Sequence, residues 1–208
     1  NVFQKTGKLI NEINKDKQII KVLDIGGGFG VDYENNQKEF PIQEYVNLVK
    51  NSFDTEELKV VIEPGRSISW NTGILVTKVL YIKKHGDKKF IITDCGMNDL
   101  MRPALYDGYH KILPITEIKN TDKISTDIVG PICESTDRLF SSNEFYDVKE
   151  GDLLAILNSG AYGSSMGSNY NVRPLIAEIL IDKDNYSIIR KRQSFEESIA
   201  QEIKINKN

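Results

Sequence analysis

Two short segments of this chain combine residue types that could bind a phosphate group. Residues 26–30 have the sequence Gly-Gly-Gly-Phe-Gly and directly follow a mostly apolar run, residues 19–25. Successive glycines leave backbone N–H groups accessible, and such a concave row of donors suits an anion. Glycines also end strands for steric reasons, so this loop alone leaves a phosphate site and a plain turn equally open. Its spacing is not that of the dinucleotide-binding motif.

The second segment, Glu-Pro-Gly-Arg at residues 63–66, places a carboxylate and a guanidinium on either side of a tight turn. It follows another apolar run, residues 58–62. Enzymes built on parallel barrels keep their catalytic residues at the carboxyl ends of the strands. A Pro-Gly turn with a surface ion pair is the ordinary interpretation, but two such loops on nearby strand ends favour an active site.

Three further residues could do chemistry but have ordinary structural interpretations when each is taken singly. Cys133 could be a small buried hydrophobic residue, and Arg102 could extend from a surface turn. Tyr162 could be a half-buried aromatic residue at the end of a strand. The residue type alone does not distinguish a packing role from a catalytic or binding role for any of them. The residues around each one must make that distinction.

The elements that must position these residues fall into two groups. Apolar spacing predicts helices over residues 1–15 and 41–50 and strands over residues 19–25 and 58–62, an order typical of parallel βα units. From about residue 72 the pattern changes to strands separated by turn clusters, which indicates an antiparallel β domain. These strands are predicted at residues 74–83, 89–93, 124–129, 153–157, 177–182 and 186–190.

We therefore predict a fold that combines an α/β part with an all-β part. Residues 1–70 would be the C-terminal fragment of a (β/α)8 barrel, because a whole barrel takes roughly 250 residues. The remaining barrel strands would then lie outside these 208 residues. Residues 71–208 would form a C-terminal antiparallel β-barrel or sandwich domain.

The composition argues against several classes of partner. The net charge of -3 comes from 27 basic and 30 acidic residues spread along the chain, so no basic patch indicates nucleic acid. The longest apolar stretches fall well short of the ~20 residues that a transmembrane helix needs. Two cysteines, with neither metal-ligand spacing nor a disulfide framework, predict no metal site and fit a cytoplasmic location.

Five motifs occur in the order and rough spacing found in diaminopimelate decarboxylases. They are Asp-Ile-Gly-Gly-Gly-Phe-Gly at 24–30, Glu-Pro-Gly-Arg at 63–66, Met-Arg-Pro-Ala-Leu-Tyr at 101–106, Cys-Glu-Ser-Thr-Asp at 133–137 and Gly-Ala-Tyr-Gly at 160–163. From about residue 19 to residue 174 the chain resembles this family of alanine-racemase-like pyridoxal-phosphate enzymes, which pair a barrel with a β domain. The resemblance implies decarboxylation of meso-2,6-diaminopimelate to L-lysine and carbon dioxide.

The same resemblance assigns the residues that would hold pyridoxal 5'-phosphate. The phosphate would lie on the glycine loop and on the turn at residues 63–66; the residues concerned are Gly26, Gly27, Gly28, Glu63, Gly65 and Arg66. Glu63 would also face the pyridine nitrogen and keep it protonated. Tyr162 would reach both the cofactor and the substrate. Replacing Glu63 with glutamine should then reduce turnover more than substrate binding.

The substrate's distant end is a zwitterion and needs fixed charges of both signs. The resemblance assigns substrate binding to Arg66, Arg102, Tyr106, Glu134 and Tyr162. An arginine can bind the distal carboxylate with two hydrogen bonds, while a carboxylate can accept from the distal ammonium. Cys133 would be the proton donor to the α-carbon after carbon dioxide leaves. In this family the cysteine loop serves the partner subunit's site, which implies a homodimer with shared active sites.

One departure limits what these residues can do by themselves. The family's Schiff-base lysine and the histidine that stacks on the cofactor lie in the first half of the barrel, so we expect the 208 residues alone to lack decarboxylase activity. Cys95, Trp70, Phe29, Met97 and Met166 are interpreted as packing residues, and His85 and His110 as surface residues.

Two alternatives to this function stay open. The first is an ornithine, arginine or carboxynorspermidine decarboxylase of the same class. Ornithine-type enzymes commonly have proline after the phenylalanine of the glycine loop, where Gly30 stands here. They also commonly have Cys-Asp where this chain has Cys133 and Glu134, in the segment at residues 130–137 that we call the donor loop. The second is a catalytically silent homologue that binds another protein, which would be expected to have lost the donor cysteine or the phosphate loop.

Overall fold

A computed structural model describes residues 2–34, 40–53 and 56–203. The chain divides into two compact units, Asn1–Ser69 and Trp70–Asn208. Among the described residues, no helix combines the length and the apolar character that crossing a membrane requires.

The first unit contains one parallel strand pair with its connecting helix. Its elements are α1 (Val2–Asn14), β1 (Val22–Asp24), α2 (Ile42–Ser52), β2 (Lys59–Val61) and α3 (Arg66–Ser69). Strands β1 and β2 pair in parallel, with Leu23 opposite Val60. The predicted strand–helix–strand order and its parallel pairing are confirmed. That this pair belongs to a (β/α)8 barrel stays a prediction.

One face of this strand pair packs on a small apolar core. Leu23 and Val60 pack against a small core of Ile10, Phe53 and Leu58. Val22, whose side chain alternates to the other side of the strand, is 55% exposed. Among the described residues, α1 and α2 contribute to this core, while Val61, on the same side of the pair as Val22, is partly buried.

The second unit is built on a six-stranded sheet. Its strands are β3 (Leu75–His85), β4 (Lys88–Thr93), β5 (Ile112–Pro114), β7 (Ser125–Val129), β8 (Arg138–Ser142) and β10 (Leu153–Ile156). They lie in the order β5-β10-β3-β4-β7-β8. The sheet is a curled half-barrel, and its closure into a barrel or a sandwich stays a prediction.

Small elements complete this unit. Helix α4 (Arg102–Tyr106) lies between β4 and β5, and α5 (Phe195–Ser198) lies near the end of the described chain. Two further antiparallel pairs are formed by β6 (Thr121–Asp122) with β9 (Phe145–Tyr146) and by β11 (Glu178–Asp182) with β12 (Asn185–Arg190).

The prediction of a purely antiparallel domain is wrong at one pair, because β4 and β7 run parallel. Between them the chain passes through α4, β5 and β6, and a parallel pair needs a long connection of this kind. The core packed on this sheet contains Val79, Ile91, Leu100, Ile128 and Leu154, each of which is 0% exposed. Helix α4, which follows β4, and the loops that follow β7 and β10 carry the predicted site residues of this unit.

Candidate active site

The glycine loop and the Glu63 turn are held together in the first unit. The backbone N–H of Glu63 donates to the Gly26 carbonyl at 2.8 Å, and the Gly26 N–H donates to Asp24 Oδ1 at 2.7 Å. Both loops follow directly from the paired strands β1 and β2, so the parallel register brings them to the same edge. The structure thus joins two of the motifs that the sequence predicted to lie close together.

This contact leaves no room for a side chain at Gly27. A Cβ atom there would lie 2.3 Å from the Glu63 carbonyl oxygen. Gly26 and Gly28 have φ values of 69° and 82°, in the left-handed region that glycine adopts without strain. Nothing lies within 4 Å of a Cβ placed on either of these two residues, so a ligand can approach the backbone closely.

The charged residues of the Glu63 turn differ in exposure. Glu63 and Gly65 are exposed, whereas Arg66, the first residue of α3, is partly buried. The Arg66 guanidinium lies over the Tyr33 ring, 5.7 Å from its centroid. A contact of this type restrains the direction of an arginine and is worth about 0.5–1 kcal/mol at an exposed site. Sequence reasoning did not identify Tyr33, since nothing in its local context marks it.

In the second unit, the predicted donor loop is fixed by Asp137, to which the sequence had assigned no role. Its Oδ1 accepts from the Met97 N–H and its Oδ2 from the Ile132 N–H, both at 2.7 Å. Cβ atoms on Gly96 or Gly130 would lie within 3 Å of the Asp137 carboxylate, so these two positions favour glycine. Asp137 therefore ties the loop at residues 130–137 to the loop that follows β4.

Burial raises the pKa of Asp137, against the hydrogen bonds from the Ile132 and Met97 N–H groups, which lower it. The Asp137 carboxyl group is thus buried, and the two backbone N–H groups take the place of water as its hydrogen-bond donors. Asp137 lies one residue before β8 and five residues after Ile132, but its other partner, Met97, is 40 residues away in the chain.

The donor loop presents Cys133 and Glu134 outward. Cys133 is exposed and free, and Glu134 is partly exposed. Glu134 Oε1 accepts from the Thr136 N–H at 3.4 Å and from the Ser135 hydroxyl at 3.2 Å. These contacts lower the pKa of Glu134, so this carboxylate is ionised at neutral pH. The pair therefore offers one thiol and one negative charge on adjacent residues.

Arg102 is buried, which excludes the ordinary alternative that it extends from a surface turn. It is 7% exposed, at the start of the five-residue helix α4. Its Nη1 lies 3.2 Å from Nε2 of His110, and Nδ1 of His110 lies 3.0 Å from the Leu157 carbonyl oxygen. The expectation that His110 lies on the surface is therefore wrong, because its ring is 0% exposed.

The two predicted tyrosines are exposed. Tyr106, at the end of α4, is 65% exposed, and Tyr162 is 45% exposed. Tyr162 has a φ of 65°, a left-handed conformation that is rare for a bulky residue and costs roughly 1–2 kcal/mol. Strain of this kind is concentrated at functional sites.

A cavity of about 400 Å³ separates the start of α4 from the donor loop. Its lining includes Pro103 and Ala104 on one side and Ser135, Thr136 and Arg138 on the other. The second unit therefore brings the donor loop and the Arg102 helix to a common space, although Arg102, Cys133 and Glu134 are not among its lining residues.

Cys95, which the sequence assigned to packing, is 4% exposed. Burial raises the pKa of its thiol to about 12. Among the described residues, no three His, Cys, Asp or Glu side chains are grouped as a metal site would require.

The chain belongs to the family of pyridoxal-dependent decarboxylases. A sequence model of that family, described as the C-terminal sheet domain of pyridoxal-dependent decarboxylases, matches residues 13–160. The family assignment from the five motifs is confirmed.

Within this family the chain is similar to diaminopimelate decarboxylases. It is 44% identical to that of Aquifex aeolicus over 193 residues, which are 93% of this chain and 46% of the relative. It is 43% identical to that of Haemophilus influenzae over 195 residues, again 93% of this chain and 46% of the relative. The crystal structure of diaminopimelate decarboxylase from Helicobacter pylori complexed with L-lysine matches with a TM-score of 0.85 at 38% identity, over 96% of this chain and 49% of that one. The chain thus spans about half the length of these relatives.

Proposed function

We propose that these residues form part of a diaminopimelate decarboxylase, which converts meso-2,6-diaminopimelate to L-lysine and carbon dioxide. The observation that carries the proposal is the donor loop, where Asp137 fixes a backbone that presents Cys133 and Glu134 side by side. A thiol and a carboxylate on adjacent residues can serve the two ends of a diamino dicarboxylic acid. The similar structure from H. pylori is a complex with L-lysine, the product of this reaction.

The glycine loop fits a phosphate group. The backbone is open at Gly26 and Gly28, and Gly27 approaches the Glu63 carbonyl too closely for any side chain. Gly26, Gly27, Gly28, Gly65 and Arg66 would hold the phosphate of pyridoxal 5'-phosphate through backbone N–H groups and one guanidinium. The bound cofactor supplies the electron sink for the loss of carbon dioxide. Glu63 would hold a proton on the pyridine nitrogen through its carboxylate.

The residues of the second unit would bind the substrate and return a proton. Arg102 would hold the distal carboxylate with its fork of donors, while Glu134 would accept from the distal ammonium. Tyr106 and Tyr162 would complete the site through their hydroxyl groups, as would Arg66 of the first unit through its guanidinium. The Cys133 thiol would donate its proton to the α-carbon once carbon dioxide has left.

We also propose that the enzyme is a cytoplasmic homodimer. The family resemblance places the donor loop at the partner's site, and the exposed position of Cys133 is compatible with that arrangement. Both thiols are free, as expected in a reducing compartment.

The test uses the complete gene product, by which we mean the polypeptide translated from the whole reading frame that contains these residues. It is supplied with pyridoxal phosphate and meso-diaminopimelate, and the release of lysine and carbon dioxide is followed, with ornithine as competitor. Ornithine lacks the distal carboxylate that Arg102 would hold. We expect lysine formation and no turnover of ornithine.

The other outcomes of this assay separate the alternatives. Turnover of ornithine instead would overturn the assignment of Arg102 and Glu134 but leave the cofactor site in place. No turnover of either substrate would favour a silent homologue that binds another protein. The 208-residue chain, assayed alongside, is expected to be inactive because the lysine that anchors the cofactor in this family is not among its residues.

A further inference from the structure

His110 is completely buried between two elements of the second unit. It lies four residues beyond the end of α4, and its ring is 0% exposed. One ring nitrogen faces the Leu157 carbonyl, just after β10, and the other faces the Arg102 guanidinium. The ring therefore connects the helix that carries Arg102 to the sheet.

The chemistry of the two partners fixes the protonation of the ring. A carbonyl oxygen can only accept a hydrogen bond, so Nδ1 of His110 must carry a proton and donate at 3.0 Å. A guanidinium can only donate, so Nε2 must be unprotonated and accept from Arg102 Nη1 at 3.2 Å. Burial, the principal cause, and the positive charge of Arg102 both lower the pKa of His110, which favours this neutral form.

Helix α4 cannot orient Arg102 by itself. It has five residues, Pro103 lies in its first turn, and no side chain caps its N-terminus. The side chain of Arg102 starts at the first residue of that short helix, where the direction of a long flexible chain depends on the groups around it. A buried acceptor anchored to the sheet supplies such a group.

We propose that His110 is a positioning residue, which as the neutral Nδ1–H tautomer holds the Arg102 guanidinium in the direction needed to bind the distal carboxylate of the substrate. This inference rests on the proposed function, since it takes the role of Arg102 from there. It adds to the substrate-binding machinery a residue that acts through Arg102.

Two substitutions distinguish the hydrogen bond that His110 makes to the Leu157 carbonyl from the hydrogen bond that it makes to Arg102. The amide of an asparagine reaches about as far as Nδ1, so H110N can keep the hydrogen bond to the Leu157 carbonyl but cannot reach Arg102. The amide of a glutamine reaches about as far as Nε2, so the side chain in H110Q can still accept from Arg102. It loses the hydrogen bond to the Leu157 carbonyl. The exposed His85 provides the control variant H85Q.

In the complete gene product, H110N is expected to raise KM for meso-diaminopimelate roughly tenfold, the loss typical of a hydrogen bond to a charged group. H110Q is expected to raise KM less than about threefold, and both variants should keep kcat within about threefold of the wild type. A purely structural role would affect the two variants alike. Equal KM values for H110N and H110Q, or a loss confined to kcat, would overturn the proposal.

The tautomer is tested without turnover. Nitrogen-15 NMR of the complete gene product, with the two signals assigned by their loss in H110N and in H85Q, should show His110 as a fixed imidazole protonated at Nδ1. Protonation at Nε2 at neutral pH would overturn the proposal whatever the kinetics show. If the complete wild-type protein does not turn over meso-diaminopimelate, the proposed function fails first, and the Nδ1–H tautomer shown by NMR then has no substrate-binding role to support.

Discussion

The two cysteines of this chain lie in opposite environments, which makes one of them a selective chemical probe of the donor loop. Cys133 is exposed, whereas Cys95 is buried with its pKa raised to about 12. At pH 8 only about one Cys95 thiol in ten thousand would be ionised, and the thiolate is the reactive form.

We therefore expect the native 208-residue chain to react with one equivalent of a thiol reagent, and with a second only after unfolding. Titration with Ellman's reagent at pH 8, with and without denaturant, measures this directly. C133S should abolish the native reaction, and C95S should leave its rate unchanged. Reaction of both thiols at similar rates in the native chain would contradict the burial of Cys95.

Tyr162 combines a predicted functional side chain with a strained backbone. Replacing it should therefore change the stability of the protein and the activity of the enzyme in opposite directions. Asparagine tolerates the left-handed conformation that tyrosine adopts at a cost. We expect Y162N to leave the free energy of unfolding unchanged or to raise it by up to about 1 kcal/mol. In the complete gene product the same change should reduce kcat/KM for meso-diaminopimelate at least about tenfold.

Urea denaturation and steady-state kinetics measure the two effects. Y162F is the matched variant, because it keeps the ring and the strain while removing the hydroxyl. If Y162N lost more than about 1 kcal/mol of stability, packing of the ring rather than its chemistry would explain the residue.

The motifs predicted site residues, but nothing in the sequence indicated the contacts that are made across the fold. His110 meets a carbonyl 47 residues away, and Asp137 meets an N–H group 40 residues away. No local pattern encodes such partners. Arg102 was identified as a site residue, but its burial was not, because burial depends on what the folded chain places around it.

At the scale of elements, the conformation of the donor loop is fixed by the hydrogen bonds that the Asp137 carboxylate accepts. D137N keeps the shape of the side chain but replaces one acceptor oxygen by a donor, so either the Met97 or the Ile132 N–H loses its partner. An unsatisfied buried donor costs about 1–3 kcal/mol. We expect D137N to lower the free energy of unfolding by about that amount and to speed amide hydrogen exchange in residues 131–136.

Hydrogen exchange followed by mass spectrometry, together with urea denaturation, provides the measurement. D184N, in the exposed turn between β11 and β12, is the control and should change neither quantity. Unchanged exchange in the donor loop of D137N would show that the loop is held by other contacts.

The elements themselves were largely predictable from apolar spacing. Six strands of the second unit and both strands of the first were placed within a few residues, because each carries enough apolar residues to show a pattern. Four short strands were missed: β5, β6, β8 and β9. The parallel pairing of β4 with β7 was also missed, since the direction of pairing depends on a long connection rather than on residues within either strand.

At the scale of the whole molecule, the predicted site residues are divided between the two units. Glu63 and the glycine loop lie in the first unit, and Arg102, Cys133 and Tyr162 lie in the second. Motif order predicted that they act together, but neither spacing nor composition can tell whether one chain or two chains supply a given site. The proposed dimer makes a specific claim on this point, namely that Cys133 serves the partner's site.

Mixing two inactive variants of the complete gene product tests this claim. In a symmetric dimer with shared sites, a mixed dimer of E63Q and C133A has one site with both changes and one site with neither. Random reassociation should then restore about a quarter of the wild-type activity, because half of the dimers are mixed and half of their sites are intact. Each variant dissociated and reassociated by itself is the control and should stay inactive. Recovery would require Glu63 and Cys133 of one site to come from different subunits, whereas no recovery from a mixture shown to contain mixed dimers would place both residues of each site in one chain.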